Sequence, residues 1–511
     1  MAVFFCEGAA SALEADGNEC VKKGAVKNID EQEKSSSTTH RIGINGKELR
    51  YTATAGELFI EHEREQDKKE ESKGRLFYVA YELDGTEKSD RPVTFVFNGG
   101  PGAASVWLHL GGLGPKRITL KDGRTPPPPV LYEENPHSWI PFTDIVFVDP
   151  IGTGFSRSVP DYEKTRKIFY GVQQDIQSVA EFIRLYLTRF NRWMSPKFLA
   201  GESYGTTRVA GLTRYLQQRF GIDLNGVILI SPVLDYDTIL FHPSNDLPYI
   251  LFLPTYAAIA RYHDVLPEKE GSGNLREWLS DAEDFTLKKY ITYLAKGENL
   301  DDEQEKELKK LLYKYTSISQ DLIDKNNFRI SWAEYVKNLL GDRGLIVGRM
   351  DGTITGTDPD PGNLSVRYDP SLDPLFGPFS SGMNAYVREE LKFESDLFYE
   401  FLNHDVAEKW DWRSGLTKKQ GFLDVSHTLR DAIAVNKNLR VFIASGYYDL
   451  ATPYFAAQYT VSHMWLGDGR ANITMKTYEA GHMIYTHTEE LRQLTEDARE
   501  FYRESTAIMG D

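Results

Sequence analysis

Several short, nearly uninterrupted apolar runs constrain this chain more than any other feature. VTFVF (93–97), DIVFV (144–148), KFLA (197–200), GVILI (226–230) and RVFIA (440–444) show no polar face. Strands read this way when both of their sides are covered. Amphipathic patterns lie between them. In 170–190, Val172, Ile176, Val179, Ile183 and Leu187 recur at helical spacing, and VAGLTRYLQQRF (209–220) reads as a further helix. Buried strands alternating with such helices imply the α/β class, a mostly parallel sheet with helices on both faces. Upstream, ELRYTATAGELFI (48–60) and RLFYVAYEL (75–83) alternate apolar and polar residues, as half-buried antiparallel N-terminal strands do. The charged run 61–74 between them reads as a solvated hairpin connection. ITMKTYE (473–479) is expected as the last strand.

The strand pattern stops after Val233 and resumes near Asn436. Residues 233–435 are therefore expected to form a mainly helical inserted cap, with one long Gly/Pro/Asp-rich loop at 351–378. The core then consists of 41–232 and 436–511, and 1–40 is expected as a flexible tail. At 511 residues, 41% hydrophobic and 26% charged, the chain is of ordinary globular composition. A net charge of −16 argues against a nucleic-acid partner, since phosphate binding needs clustered Lys and Arg. The two cysteines, Cys6 and Cys20, can staple at most the tail. No apolar stretch reaches the ~18 residues of a membrane span, and the first six residues lack the features of a signal peptide. The run PPPP (126–129) reads as a rigid surface turn. Neither compartment nor oligomeric state follows from these patterns.

GESYG (201–205) sits between the strand KFLA and a helix. A serine on a sharp strand-to-helix turn needs small residues two positions away on either side, and Gly201 and Gly205 supply them. Ser203 is the candidate nucleophile. A serine hydroxyl needs a general base, and the base needs an orienting carboxylate. Downstream, Asp449 follows the strand RVFIAS and His482 follows ITMKTYE, so both fall on the rim that carries Ser203. This order, Ser, Asp, His, is that of α/β-hydrolases. His487 and Asp468 are the rivals; the first reads as a helix-capping neighbour, the second as a loop residue. An oxyanion needs two backbone N–H donors. Tyr204 supplies one, and the glycine-rich loop FNGGPG (97–102) supplies the other, with Gly100 as the candidate. No HExxH or paired-cysteine pattern points to a metal. The aromatics Tyr249, Phe252, Tyr256 and Tyr262 of the cap read as core rather than as subsites.

NGGPGAASVWLHLGGLGP (98–115), DPIGTGFSRS (149–158), GESYG and AGHM (480–483) together resemble the serine carboxypeptidases, from about Pro92 to the C-terminus. The resemblance implies an α/β-hydrolase fold with an inserted cap. It also implies removal of one C-terminal residue from a peptide through an acyl-enzyme, with no metal or organic cofactor. By the same resemblance, Asn98, the Gly99 amide and Glu202 bind the substrate's terminal carboxylate, which requires Glu202 to be protonated. An extracytoplasmic location is implied too. The chain departs from the family at two places. Gly112 stands before Leu113-Gly114-Pro115 where many members have a second glutamate, and Ala103 stands where a cysteine is usual; the latter is more similar to bacterial members. The same triad also suits an esterase, an acyltransferase or another serine peptidase. Proline-specific aminopeptidases usually carry a histidine where Asn98 stands. A non-catalytic binding protein on this scaffold is the third reading, and the intact Ser203, Asp449 and His482 argue against it.

Overall fold

A computed structural model describes residues 32–507, apart from 62–72, 162, 268–270, 272, 364 and 414–420. Nine principal strands build one sheet: β1 (Ser35–Ile44), β2 (Lys47–Glu61), β3 (Lys73–Leu83), β4 (Val93–Phe97), β5 (Asp144–Val148), β6 (Lys197–Ser203), β7 (Gly226–Pro232), β8 (Arg440–Gly446) and β9 (Ile473–Tyr478). Their spatial order is β1-β2-β3-β5-β4-β6-β7-β8-β9, and a short strand Arg157–Val159 pairs with the start of β3. Pairing is antiparallel from β1 through β5 and parallel from β5 to β9. This is the α/β-hydrolase arrangement, with antiparallel N-terminal strands as the sequence predicts.

The unbroken apolar runs have a direct cause. Alternate residues of each central strand enter two separate cores. Val227 and Leu229 of β7 join one core with α1 (Val172–Arg189) and α2 (Tyr204–Phe220). Ile228 and Ile230 face the other, against α6 (Thr488–Thr506). Both sides are covered, so neither is polar.

The last part of the expected tail 1–40 is strand instead: Ser35–His40 pair with Tyr51–Gly56 as the outer part of β1, and residues 1–31 lie outside the described residues. Their alternation of half-buried and exposed residues fits an edge strand, whose ladder bonds outweigh its weak apolar content. Cys6, Cys20 and most of the charged run 61–74 lie outside the described residues. Between β7 and β8 the chain is mainly helical, including α3 (Leu247–Tyr262), α4 (Phe376–Glu389) and α5 (Ser426–Val435). The last of these packs with the sheet layer: Leu429, Ala432 and Ile433 enter the α1/α2 core. No helix among the described residues is long and apolar enough to cross a membrane.

The edge of the sheet opposite the strand carboxyl ends is pinned by a buried ion cluster. Asp144, first in β5, meets Arg91 Nε and Arg192 Nη1, each at 2.6 Å. Arg192 Nη2 also donates to the Arg91 carbonyl at 2.9 Å. Asp144→Ala leaves the buried Arg91 guanidinium without its carboxylate and Arg192 with only Glu82, at 3.2 Å, and is expected to lower unfolding stability by about 3–5 kcal/mol, read from urea denaturation. Arg492→Ala, in an exposed pair with Glu496, is expected to cost under about 1 kcal/mol.

Candidate active site

Ser203 ends β6 and immediately precedes α2. Its backbone lies at φ 59°, ψ −130°, in the left-handed half of conformational space. Such a backbone costs about 1–3 kcal/mol and is held by its surroundings. The surroundings leave no space for side chains. A Cβ on Gly201 would collide with the Gly205 carbonyl, and one on Gly205 would lie 2.8 Å from the Phe97 carbonyl oxygen. The glycine-rich loop after β4 closes over the turn: a Cβ on Gly99 would sit 2.6 Å from the Tyr204 backbone nitrogen. Gly99 therefore lies directly beside the start of α2.

Groups absent from the sequence reading hold that loop. Arg208, buried on α2, donates from Nη1 to the Asn98 carbonyl at 2.7 Å and from Nε to Asp175 Oδ2 at 2.8 Å. Tyr204 Oη donates to the same carboxylate at 3.3 Å. From the other side the insertion grips the loop, with Asn403 N–H donating to the Gly102 carbonyl at 2.8 Å. No local motif marks Arg208 or Asp175; only the fold brings α1, α2 and the loop together.

His482 follows β9 and Asp449 follows β8. The imidazole Nδ1 and Asp449 Oδ2 are 2.8 Å apart. The carboxylate is fully buried and further held by the Ala451 and Thr452 amides on Oδ1, at 2.7 and 3.0 Å, and by Thr452 Oγ1 on Oδ2 at 2.8 Å. His482 is clamped at its backbone as well. Its N–H donates to the Met350 carbonyl of the insertion at 2.6 Å, and its carbonyl accepts from Ser231 Oγ at 2.7 Å. Burial by itself lowers the basicity of this imidazole. The charge and hydrogen bond of Asp449, with a smaller contribution from Glu202, outweigh it and raise His482 above the ordinary 6.5.

Ser203 and His482 line one cavity of about 580 Å³, together with Asn98, Gly99, Gly100 and Glu202. The Ser203 hydroxyl is buried with no hydrogen-bond partner among the described residues. The rest of the wall is largely apolar and comes from the insertion and the segment after the glycine loop, including Trp107, Trp332, Val347, Phe376 and Leu402. Arg349 also lines it, with its guanidinium 4.5 Å from the Trp332 ring centre. None of Tyr249, Phe252, Tyr256 or Tyr262 lines it; Phe252 and Tyr256 are core residues, as expected.

Glu202 is buried beside the serine. Its Oε2 accepts from Asn98 Nδ2 and from Tyr485 Oη, the latter at 3.0 Å. Burial is the dominant influence and pushes this carboxyl up to about 7, against the opposing effect of His482 and the two donors. The rivals lie elsewhere. Asp468 is exposed in a short 3-10 turn, Gly467–Asn472. His487 precedes α6 without capping it through its side chain; its Nε2 instead meets Asp351 Oδ2 at 2.7 Å. Among the described residues no group of three or more His, Cys, Asp or Glu side chains could hold a metal ion.

A family model described as serine carboxypeptidase matches residues 65–496. The chain belongs to the serine carboxypeptidase family. Among its relatives, the pheromone-processing carboxypeptidase KEX1 of Yarrowia lipolytica is 33% identical over 164 residues, which is 32% of this chain and 25% of the relative. Serine carboxypeptidase-like 36 of Arabidopsis thaliana is 29% identical over 170 residues, 32% of each chain. The chain thus matches about a quarter to a third of the length of these relatives. In fold it is similar to KEX1(delta)p, a prohormone-processing carboxypeptidase from Saccharomyces cerevisiae, with a TM-score of 0.53 at 17% identity over 90% of this chain and 92% of that one.

The electrostatics of the His482–Asp449 pair can be tested directly. Asp449→Asn removes the charge that outweighs burial, so the His482 ring is expected to titrate below 6.5 instead of above it, as followed by NMR of the imidazole.

Proposed function

We propose that this chain is a serine-type carboxypeptidase that hydrolyses the last peptide bond of a peptide. The observation that carries the reading is Glu202: a carboxyl raised to about 7, bound to Asn98, on the wall of the cavity shared by Ser203 and His482. A neutral carboxyl donates a hydrogen bond to a terminal carboxylate, where an ionised one repels it. Asn98 and the Gly99 amide complete that subsite. Ser203 attacks the scissile carbonyl while His482 takes its proton, and Asp449 orients and stabilises the imidazolium. The Gly100 and Tyr204 amides stabilise the oxyanion. His482 then protonates the departing amino acid, leaving an acyl-enzyme on Ser203. Water, deprotonated by His482, releases the shortened peptide. No step calls for a metal or organic cofactor. The apolar wall of the cavity suits apolar side chains next to the cleaved bond. The family relationship supports an extracytoplasmic site of action.

An N-blocked dipeptide, with its C-terminus free or amidated, tests the reading from about pH 4 to 9. The free acid is expected to be cleaved and the amide spared, and Ser203→Ala is expected to abolish turnover. Because the protonated Glu202 is the binding form, kcat/KM for the free acid is expected to fall as pH rises through about 7. Cleavage of simple esters with no preference for a free carboxylate would replace this reading with an esterase or acyltransferase using the same triad.

A further inference from the structure

Gly111 and Gly112 form a slot for an aromatic ring. A Cβ on Gly112 would lie 2.5 Å from Tyr485 Cβ and 3.2 Å from its Cγ; one on Gly111 would collide with the same ring at Cε2. Tyr485, fully buried, fills the space, and its hydroxyl reaches Glu202 Oε2 at 3.0 Å. A side chain at position 112 would thus run into Tyr485, which arrives from the short 3-10 turn Ile484–Thr486 after His482.

The two oxygens of Glu202 have different surroundings. Oε2 receives both Asn98 Nδ2 and Tyr485 Oη. Oε1 is buried with no partner, on a side chain that lines the cavity. The orientation of Asn98 is set independently, because its Oδ1 accepts the Leu108 N–H at 3.0 Å and leaves Nδ2 for Glu202. An oxygen already accepting two donors is a poor place for a carboxylic proton. We propose that Tyr485 is a positioning residue that keeps the Glu202 proton on Oε1, where it meets the terminal carboxylate of the substrate. This rests on the carboxypeptidase reading above. The charged groups acting on Glu202 are His482, which favours its ionised form, and Asp449, which opposes it; Tyr485 and Asn98 favour the ionised form by donating to it. Loss of the phenol hydroxyl therefore makes Glu202 hold its proton to higher pH but leaves that proton undirected.

The test compares wild type, Tyr485→Phe and Gly112→Ala on one blocked dipeptide as free acid and as methyl ester. Labelling of Ser203 by a fluorophosphonate counts the folded sites in each sample. In both variants the free-acid to ester ratio of kcat/KM is expected to fall about three- to tenfold, through KM. The alkaline limb for the free acid is expected to move up by about one pH unit in Tyr485→Phe. A wild type that prefers the free acid, with variants that keep its ratio and limb or lose both substrates in parallel, overturns the role of Tyr485 alone. A wild type without the preference overturns the carboxypeptidase reading and this inference with it. Should Tyr485→Phe fail to label, Gly112→Ala, which displaces the ring and keeps the hydroxyl, decides by the ratio.

Discussion

The site depends on one close approach of backbone to backbone. The turn at Ser203 and the segment from Phe97 to Gly99 pack without intervening side chains, as the contacts at Gly99 and Gly205 require. A single buried cation locks the two together, since Arg208 sits on the helix that follows the serine and donates to the carbonyl of Asn98. The side chain of that same asparagine then reaches Glu202 and the Leu108 amide. Ser203, the glycine loop and Glu202 are thus joined by direct contacts and hydrogen bonds, and these neighbours hold the left-handed backbone at Ser203 in place.

Exclusion of water sets the protonation states. Glu202 and His482 are both buried, and burial opposes the charged form of each. They part company through their partners. Glu202 has neutral donors and stays raised to about 7. His482 has the fully buried Asp449, itself held by the Ala451 and Thr452 amides, and is raised despite its burial. Under the proposed function, a carboxyl that keeps its proton further toward neutral pH beside an imidazole made more basic is the division of labour that binding a terminal carboxylate calls for. The insertion contributes directly, since the Met350 carbonyl anchors His482 and its apolar side chains close the cavity.

Local signals made the elements around the site legible. The run KFLA, the glycines of GESYG and the helix beyond them announce a strand-turn-helix, and β6, Ser203 and α2 have that form. The helix starts at Tyr204 rather than near Val209, because its first turn, Tyr204 to Arg208, is packed into the site and carries little amphipathic pattern. Asp449 and His482 were readable as a candidate pair because each follows a strand legible in the sequence, and strand ends share a rim in a parallel sheet. The edge strand from Ser35 was hidden because its residues are small and polar. So was the attachment of α5 to the sheet layer, since an amphipathic helix does not say which surface it will cover.

The sequence by itself determined that this chain is an α/β protein with a serine turn and its candidate base and acid in a known order. Those properties live in runs of a few residues whose periodicity and glycine spacing are local. Only the tertiary structure decided that Arg208 and Asp175 brace the glycine loop, that His487 pairs with Asp351, and that a tyrosine fills the slot at Gly111 and Gly112. Each of these joins residues far apart in the chain through a hydrogen bond or a contact of a few ångströms. A pattern along one dimension carries no such distance, and only the packing of the sheet, its helices and the insertion creates it.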